Sequence, residues 1–161
     1  MTGVRRILLA VSLVAAVAAL PAAAATKPVV PPFIQLLALK KAGPVAYAPT
    51  RVPFGYRYTG YTWLPGARQL TFRFDDRRYA RNGKHALRFT AQPFTGTLAS
   101  CADGKQKTLQ LDGNKVYWDG SVAWRCVHGA NGRLVKLLAA GAKLPDSALG
   151  IVVASGKRIT P

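Results

Sequence analysis

The chain is 161 residues long and carries 23 Lys plus Arg against 6 acidic residues, a net charge of +17. Half of it is hydrophobic and it holds only two cysteines, which excludes both a disordered polyelectrolyte and a cysteine-dense miniprotein. Every acid is an Asp, so chemistry that needs several paired carboxylates has few residues to draw on.

Arg5 and Arg6 precede an uncharged apolar run, Ile7 to Leu20, that is short for a bilayer span. The small residues of "LPAAAAT" follow. Residues 1–25 read as a secretory signal peptide cut between Ala25 and Thr26, with an uncleaved anchor as the alternative. No later segment is long and apolar enough to cross a membrane. Removing the peptide leaves 21 cations against 6 acids, +15. Residues 26–44 then read as a Pro-rich tether with a short helix, and 45–161 as a single domain large enough for its own core.

The helix is expected in "PFIQLLALKKAG", with Pro32 in its first turn, Lys40 and Lys41 in its last, and Gly43 ending it. Phe33, Ile34, Leu36, Leu37 and Leu39 would form its apolar face. Strands are expected at Gly55–Trp63, Arg68–Asp75, His85–Gln92, Lys107–Leu111, Lys115–Trp118, Val122–Val127 and Arg133–Ala139. "LPGAR" has a type II turn signature, and Asp112-Gly113 and Asp119-Gly120 are hairpin signals. A last helix is expected from an Asp146 N-cap to Gly156, flanked by Lys157 and Arg158. Short turns between successive strands argue for an α+β fold: an antiparallel sheet of about seven strands with an N-terminal and a C-terminal helix packed on it.

The two cysteines, Cys101 and Cys126, read as one disulfide in an exported protein, and only weakly as a redox pair. Alternation of apolar residues pairs Phe72 with Phe89 and Phe74 with Leu87, which sets Arg73 opposite Arg88. If Val127 pairs with Leu134, Trp124 and Cys126 are buried beside Val135 and Leu137, and Arg125 faces Lys136. Two hairpins would then each place like charges on an outer face, at a cost of a few tenths to about 1 kcal/mol per pair. The connection carrying Arg77, Arg78, Arg81 and Lys84 adds to the basic surface. A docked polyanion would relieve the repulsion, and strand aromatics Tyr56, Tyr58, Tyr61, Trp63, Tyr117 and Trp118 could stack on its rings. The alternative is a solvated basic face that keeps the domain soluble.

Catalysis has little to stand on. Asp75 and Asp76 point to opposite faces of a strand, Asp103, Asp112 and Asp119 each precede Gly, and Asp146 suits a helix start. His85 and His128 lack metal-ligand spacing with the cysteines. No cofactor or metal motif is present in the sequence.

"YAPTRVPFGYRYTGYTW", with Tyr47, Pro49, Pro53, Gly55 and Tyr56, "QLTFRFDD", "TLQLDGNKVYW…VAWRCV…RLVKL" and "LPDSALGIVVASGKRI" resemble an uncharacterised secreted domain family of actinobacteria over residues 47–159. The chain is also faintly similar to the envelope domains of RseB-type regulators of anti-sigma factors. That kinship implies an antiparallel sheet with a flanking helix and a binding or sensing role, and no catalytic residue. The expectation is a secreted, non-enzymatic module for an anionic cell-envelope component, either a phosphate-bearing polymer or an anionic lipid surface, with nucleic acid bound only non-specifically. The alternatives are a regulatory protein that contacts a membrane-bound protein partner such as an anti-sigma factor, and a secreted hydrolase.

Overall fold

The computed structural model describes residues 28–77, 86–102, 104 and 106–161. The expected signal peptide lies outside the described residues, as do Arg78, Arg81 and Lys84.

Helix α1 (Pro32–Ala42) leads through a 3-10 turn into strand β1 (Tyr47–Pro49). Then come β2 (Tyr56–Leu64), β3 (Gln69–Asp76), β4 (Ala86–Phe94), β5 (Lys107–Leu111), β6 (Asn114–Asp119), β7 (Val122–His128) and β8 (Leu134–Gly141). Helix α2 (Asp146–Ala154) and strand β9 (Gly156–Arg158) close the chain. Seven strands form one antiparallel sheet in the order β2-β3-β4-β8-β7-β6-β5. The fold is therefore α+β, with the sequence-derived strands in place to within one or two residues at each end.

One face of the sheet makes the core. Leu70, Phe72 and Phe74 of β3, Leu87, Phe89 and Ala91 of β4, and Leu137 and Ala139 of β8 are all fully buried there. Large side chains removed from water in this way stabilise by about 1.5–3 kcal/mol each. Helix α2 packs on the β5–β8 half of this face through Leu149, Val152 and Val153. It lies so close that a Cβ on Gly150 would meet Leu111 at 2.6 Å. Helix α1 covers β2 and β3.

Three local expectations change. Helix α1 buries Ala38 and Ala42, while Phe33 and Leu36 stay 68% and 45% exposed. The helix lies on its small-residue side, with only Ile34 and Leu39 of the expected apolar face packed against the core. Helix α2 starts one residue beyond its Pro145 cap, so Asp146 lies in the first turn, where its charge suits the helix dipole. It stops at Ala154, and Gly156, Lys157 and Arg158 form a strand instead of a helix end. That strand pairs with β1 (Tyr47↔Arg158, Pro49↔Gly156) in a two-stranded ribbon absent from the sequence reading. Three residues, one of them proline, give no strand signal. Ser155 anchors the ribbon by accepting from the Arg51 amide (3.1 Å) and donating to the Val152 carbonyl (2.9 Å).

The turns follow backbone need. Asp112 and Gly113 both have positive φ (50° and 72°), as a type I′ hairpin requires between Leu111 and Asn114. In "LPGAR" the left-handed residue is Arg68 (φ 49°), not Gly66, so the turn is not type II.

Register separates the two basic hairpins. In β3–β4, Phe72 pairs with Phe89, Phe74 with Leu87 and Arg73 with Arg88, as expected. In β7–β8, Val127 pairs with Val135, Cys126 with Lys136, Arg125 with Leu137 and Trp124 with Leu138. This is one residue off the expected register, so Arg125 and Lys136 lie on opposite faces. The turn accommodates the shift: the Gly129 amide donates to the Arg133 carbonyl at 2.7 Å, so that seven residues instead of the expected six lie between Val127 and its partner.

Candidate functional site

The outer sheet face, opposite the helices, holds the candidate site. Strands β3 and β4 each carry polar residues at alternate positions, Gln69, Thr71, Arg73 and Asp75 on one and Arg88, Thr90 and Gln92 on the other. Pleating projects them all outward. Thr62, Thr71 and Thr90 align across three strands and continue into Leu138, Trp124 and Tyr117. Arg73 and Arg88 form the neighbouring row, which continues into Ala140 and Val122. Between these rows lies an open trough of about 520 Å³, with Gln69 and Gln92 at one end.

The trough is polar but unevenly charged. The Thr71 and Thr90 hydroxyls share a hydrogen bond of 3.0 Å, and Gln69 Nε2 donates to Thr71 at 3.3 Å. Arg73 Nε donates to Asp75 Oδ1 at 3.0 Å, an ion pair on the same strand. Arg88 is exposed and makes no ion pair or hydrogen bond among the described residues. The like-charged pair is thus half neutralised, and Arg88 is its free member.

The other candidate cations scatter. Lys136 does reach the outer face, but its Nζ lies 5.0 Å from the Trp124 ring centre and 5.9 Å from that of Phe94, within cation–π range. Arg125 points into the core side. It donates to Asn114 Oδ1, and its Nη2 donates to the Gly156 carbonyl at 2.9 Å, tying β7 to β6 and β9. Burial lowers its pKa below the ordinary arginine value, opposed by the nearby Tyr47. The Tyr47 phenol is raised by the same burial, against the pull of Arg158 and Arg125, and it donates to the His128 carbonyl at 3.1 Å. Arg77 is exposed just past β3.

The aromatic platform is also relocated. Tyr58, Tyr61 and Trp63 pair with Phe74, Phe72 and Leu70 and so share the core face, with ring centres of Tyr58 and Tyr61 6.2–6.3 Å from the phenylalanines. Trp118 pairs with Ala123 on that side, and only Tyr117 joins the outer row. Trp124 is on the outer face yet just 5% exposed. The segment after β4 folds over it: Cys101 is bonded to Cys126, and Trp124 Nε1 donates to the Cys101 carbonyl at 2.8 Å. This disulfide, expected from the sequence, suits an oxidising extracytoplasmic compartment. The residues that the sequence reading passed over are Thr62, Thr71, Thr90, Gln69 and Gln92. Their signal was present in the same alternation that singled out Arg73 and Arg88.

No protein-family model and no curated protein matches the chain. Among solved structures, it is similar to the crystal structure of MucB in complex with MucA(peri), at 15% identity and a TM-score of 0.40. The match covers 73% of this chain and 38% of that one, so the chain spans well under half the length of its neighbour. No residue role is transferred from it.

Proposed function

We propose that the protein is a secreted, non-enzymatic binding module whose outer sheet face takes an anionic component of the cell envelope. The observation that carries this reading is Arg88, a guanidinium without a partner among the described residues, set in an open trough on a domain whose mature charge is +15. An unpaired cation in a field of like charge attracts anions over distance and gains most when one docks. A non-catalytic role is supported by the employment of the acids: Asp75 and Asp112 pair with Arg73 and Arg51, and Asp146 sits at a helix start. Export by an N-terminal signal peptide is part of the proposal.

The test is binding of the purified protein to an anionic polymer such as heparin, measured against salt. Binding should weaken as salt rises, and Arg88→Glu should weaken it by about tenfold or more, with Arg73→Gln costing less because Asp75 already holds that side chain. Salt-independent binding, or no loss in Arg88→Glu, would sink the proposal.

A second reading, contact with a membrane-bound protein partner, is favoured by a different observation. Phe54 is 98% exposed beside an apolar groove of Val29, Val52, Pro53 and Ile151. It predicts a partner retained at high salt and released by Phe54→Ala.

A further inference from the structure

Resting on the outer face as an anion site, we infer that its ligand is a polyhydroxylated chain bearing isolated, singly charged anionic groups, an acidic saccharide of the uronate kind, and not a densely charged polyanion. Charge count is the first argument. Arg73 and Arg88 face each other like a double clamp, but Asp75 occupies Arg73 at 3.0 Å. Lys136, another cation on this face, lies over the Trp124 and Phe94 rings. Within the trough one uncommitted guanidinium remains, Arg88, a rigid planar fork that matches a single carboxylate or phosphodiester with two parallel hydrogen bonds, while Arg57, opposite Asp75 on β2, is exposed on the same face outside the trough lining.

Hydrogen-bond inventory is the second argument. The rest of the polar lining is Thr62, Thr71, Thr90, Gln69 and Gln92. Each of these side chains both donates and accepts. Sugar hydroxyls need both functions, whereas a row of phosphates can only accept and would leave the glutamine and threonine acceptors idle. Val122, Leu138 and Ala140 supply an apolar wall, suited to the C–H face of a sugar ring. A nucleic acid would call for cations in line along its backbone and exposed rings for its bases. Here Tyr58, Tyr61 and Trp63 are turned to the core face.

The experiment follows amide resonances of the 15N-labelled protein at about 0.15 M salt with four probes: an oligogalacturonate, a neutral oligosaccharide of equal length, a glycerol-phosphate oligomer and inorganic polyphosphate. The oligogalacturonate should shift the β3 and β4 resonances around Thr71, Arg88 and Thr90. Its affinity should fall about tenfold in Arg88→Gln and several-fold in Thr90→Val, with a log–log salt slope of about one. A glycerol-phosphate oligomer binding more tightly than the uronate, with the same dependence on both residues, would overturn the assignment to a uronate saccharide while leaving the anion site standing. Polyphosphate binding this face more tightly, with a steep salt slope and no response to Thr90→Val, would overturn the inference while leaving the anion site standing. A neutral oligosaccharide binding as well as the uronate would overturn the inference too. If no anion moves the outer-face resonances, both the inference and the anion site fail.

Discussion

The β3–β4 and β7–β8 hairpins both carry cations in alternating strands, yet they use them in opposite ways. Arg88 stands free on the outer face, while Arg125 is drawn inward and holds the Gly156 carbonyl. The first hairpin has one apolar face only: Leu70, Phe72 and Phe74 face Leu87, Phe89 and Ala91, and everything between is polar. A slipped register there would expose three large side chains or bury two arginines, so alternation fixes it. The second hairpin is apolar on both sides. Trp124 and Cys126 alternate with Ala123 and Val127, and "LVKLLAA" opposite them has no clear polar face. Either register buries enough, and the turn and the covering layers choose.

The core side of the first hairpin should be the most sensitive place. Phe89→Ala is expected to lose about 3–5 kcal/mol of stability by chemical denaturation, while its outer neighbour Thr90→Val changes stability by less than about 1 kcal/mol. Comparable losses at both positions would abolish the distinction between faces. Next in size is the disulfide, which closes a loop with a sequence separation of 25. The Cys101→Ser/Cys126→Ser double variant should lose about 3 kcal/mol. Its tryptophan emission should also shift to the red in the folded state as Trp124 loses its cover.

The two arginines give the sharpest contrast. Arg125→Ala removes charged hydrogen bonds to Asn114 and Gly156 and should destabilise by about 1.5–3 kcal/mol. Arg88→Ala should be neutral or stabilise by a few tenths of a kcal/mol, because it removes a like charge opposite Arg73. Equal destabilisation at both sites would mean that Arg88 is structurally engaged and not held in reserve for a ligand.

The smallest effect concerns alkaline pH. Burial raises the Tyr47 and Tyr58 phenols above the ordinary value of 10.0. The folded state therefore holds these protons more tightly than the unfolded chain. Their stabilising contribution is complete below pH 10 and is lost as pH rises from there through the folded-state pKa values. Tyr47→Phe should flatten part of that decline in denaturation midpoints measured from neutral to alkaline pH.

Much of the site was readable before the fold was known, because β3 and β4 write their two faces into alternate letters. Arg73 opposite Arg88 needed nothing more. The pairing of Arg73 with Asp75 was less visible, since residues two apart on a strand share a face but declare no contact. The aromatics misled for a related reason: Tyr58, Tyr61 and Trp63 have polar tips, so their strand looks amphipathic either way. In helix α1, Phe33 and Leu36 outweigh Ala38 and Ala42 in hydrophobicity, yet the alanines permit the closer approach to the sheet.

The sequence by itself determined the seven strands of the main sheet, the β3–β4 register and the partner of Cys101, each of which follows from local alternation, turn chemistry or a simple count. Only the tertiary structure decided which face of β7 is covered, where Arg125 goes, which side of α1 meets the sheet, and that chain segments more than 100 residues apart join as β1 and β9. Local pattern specifies a choice when one alternative would leave large apolar area in water. Where both alternatives bury similar area, the layers that pack above the sheet make the decision, and they are assembled from distant parts of the chain.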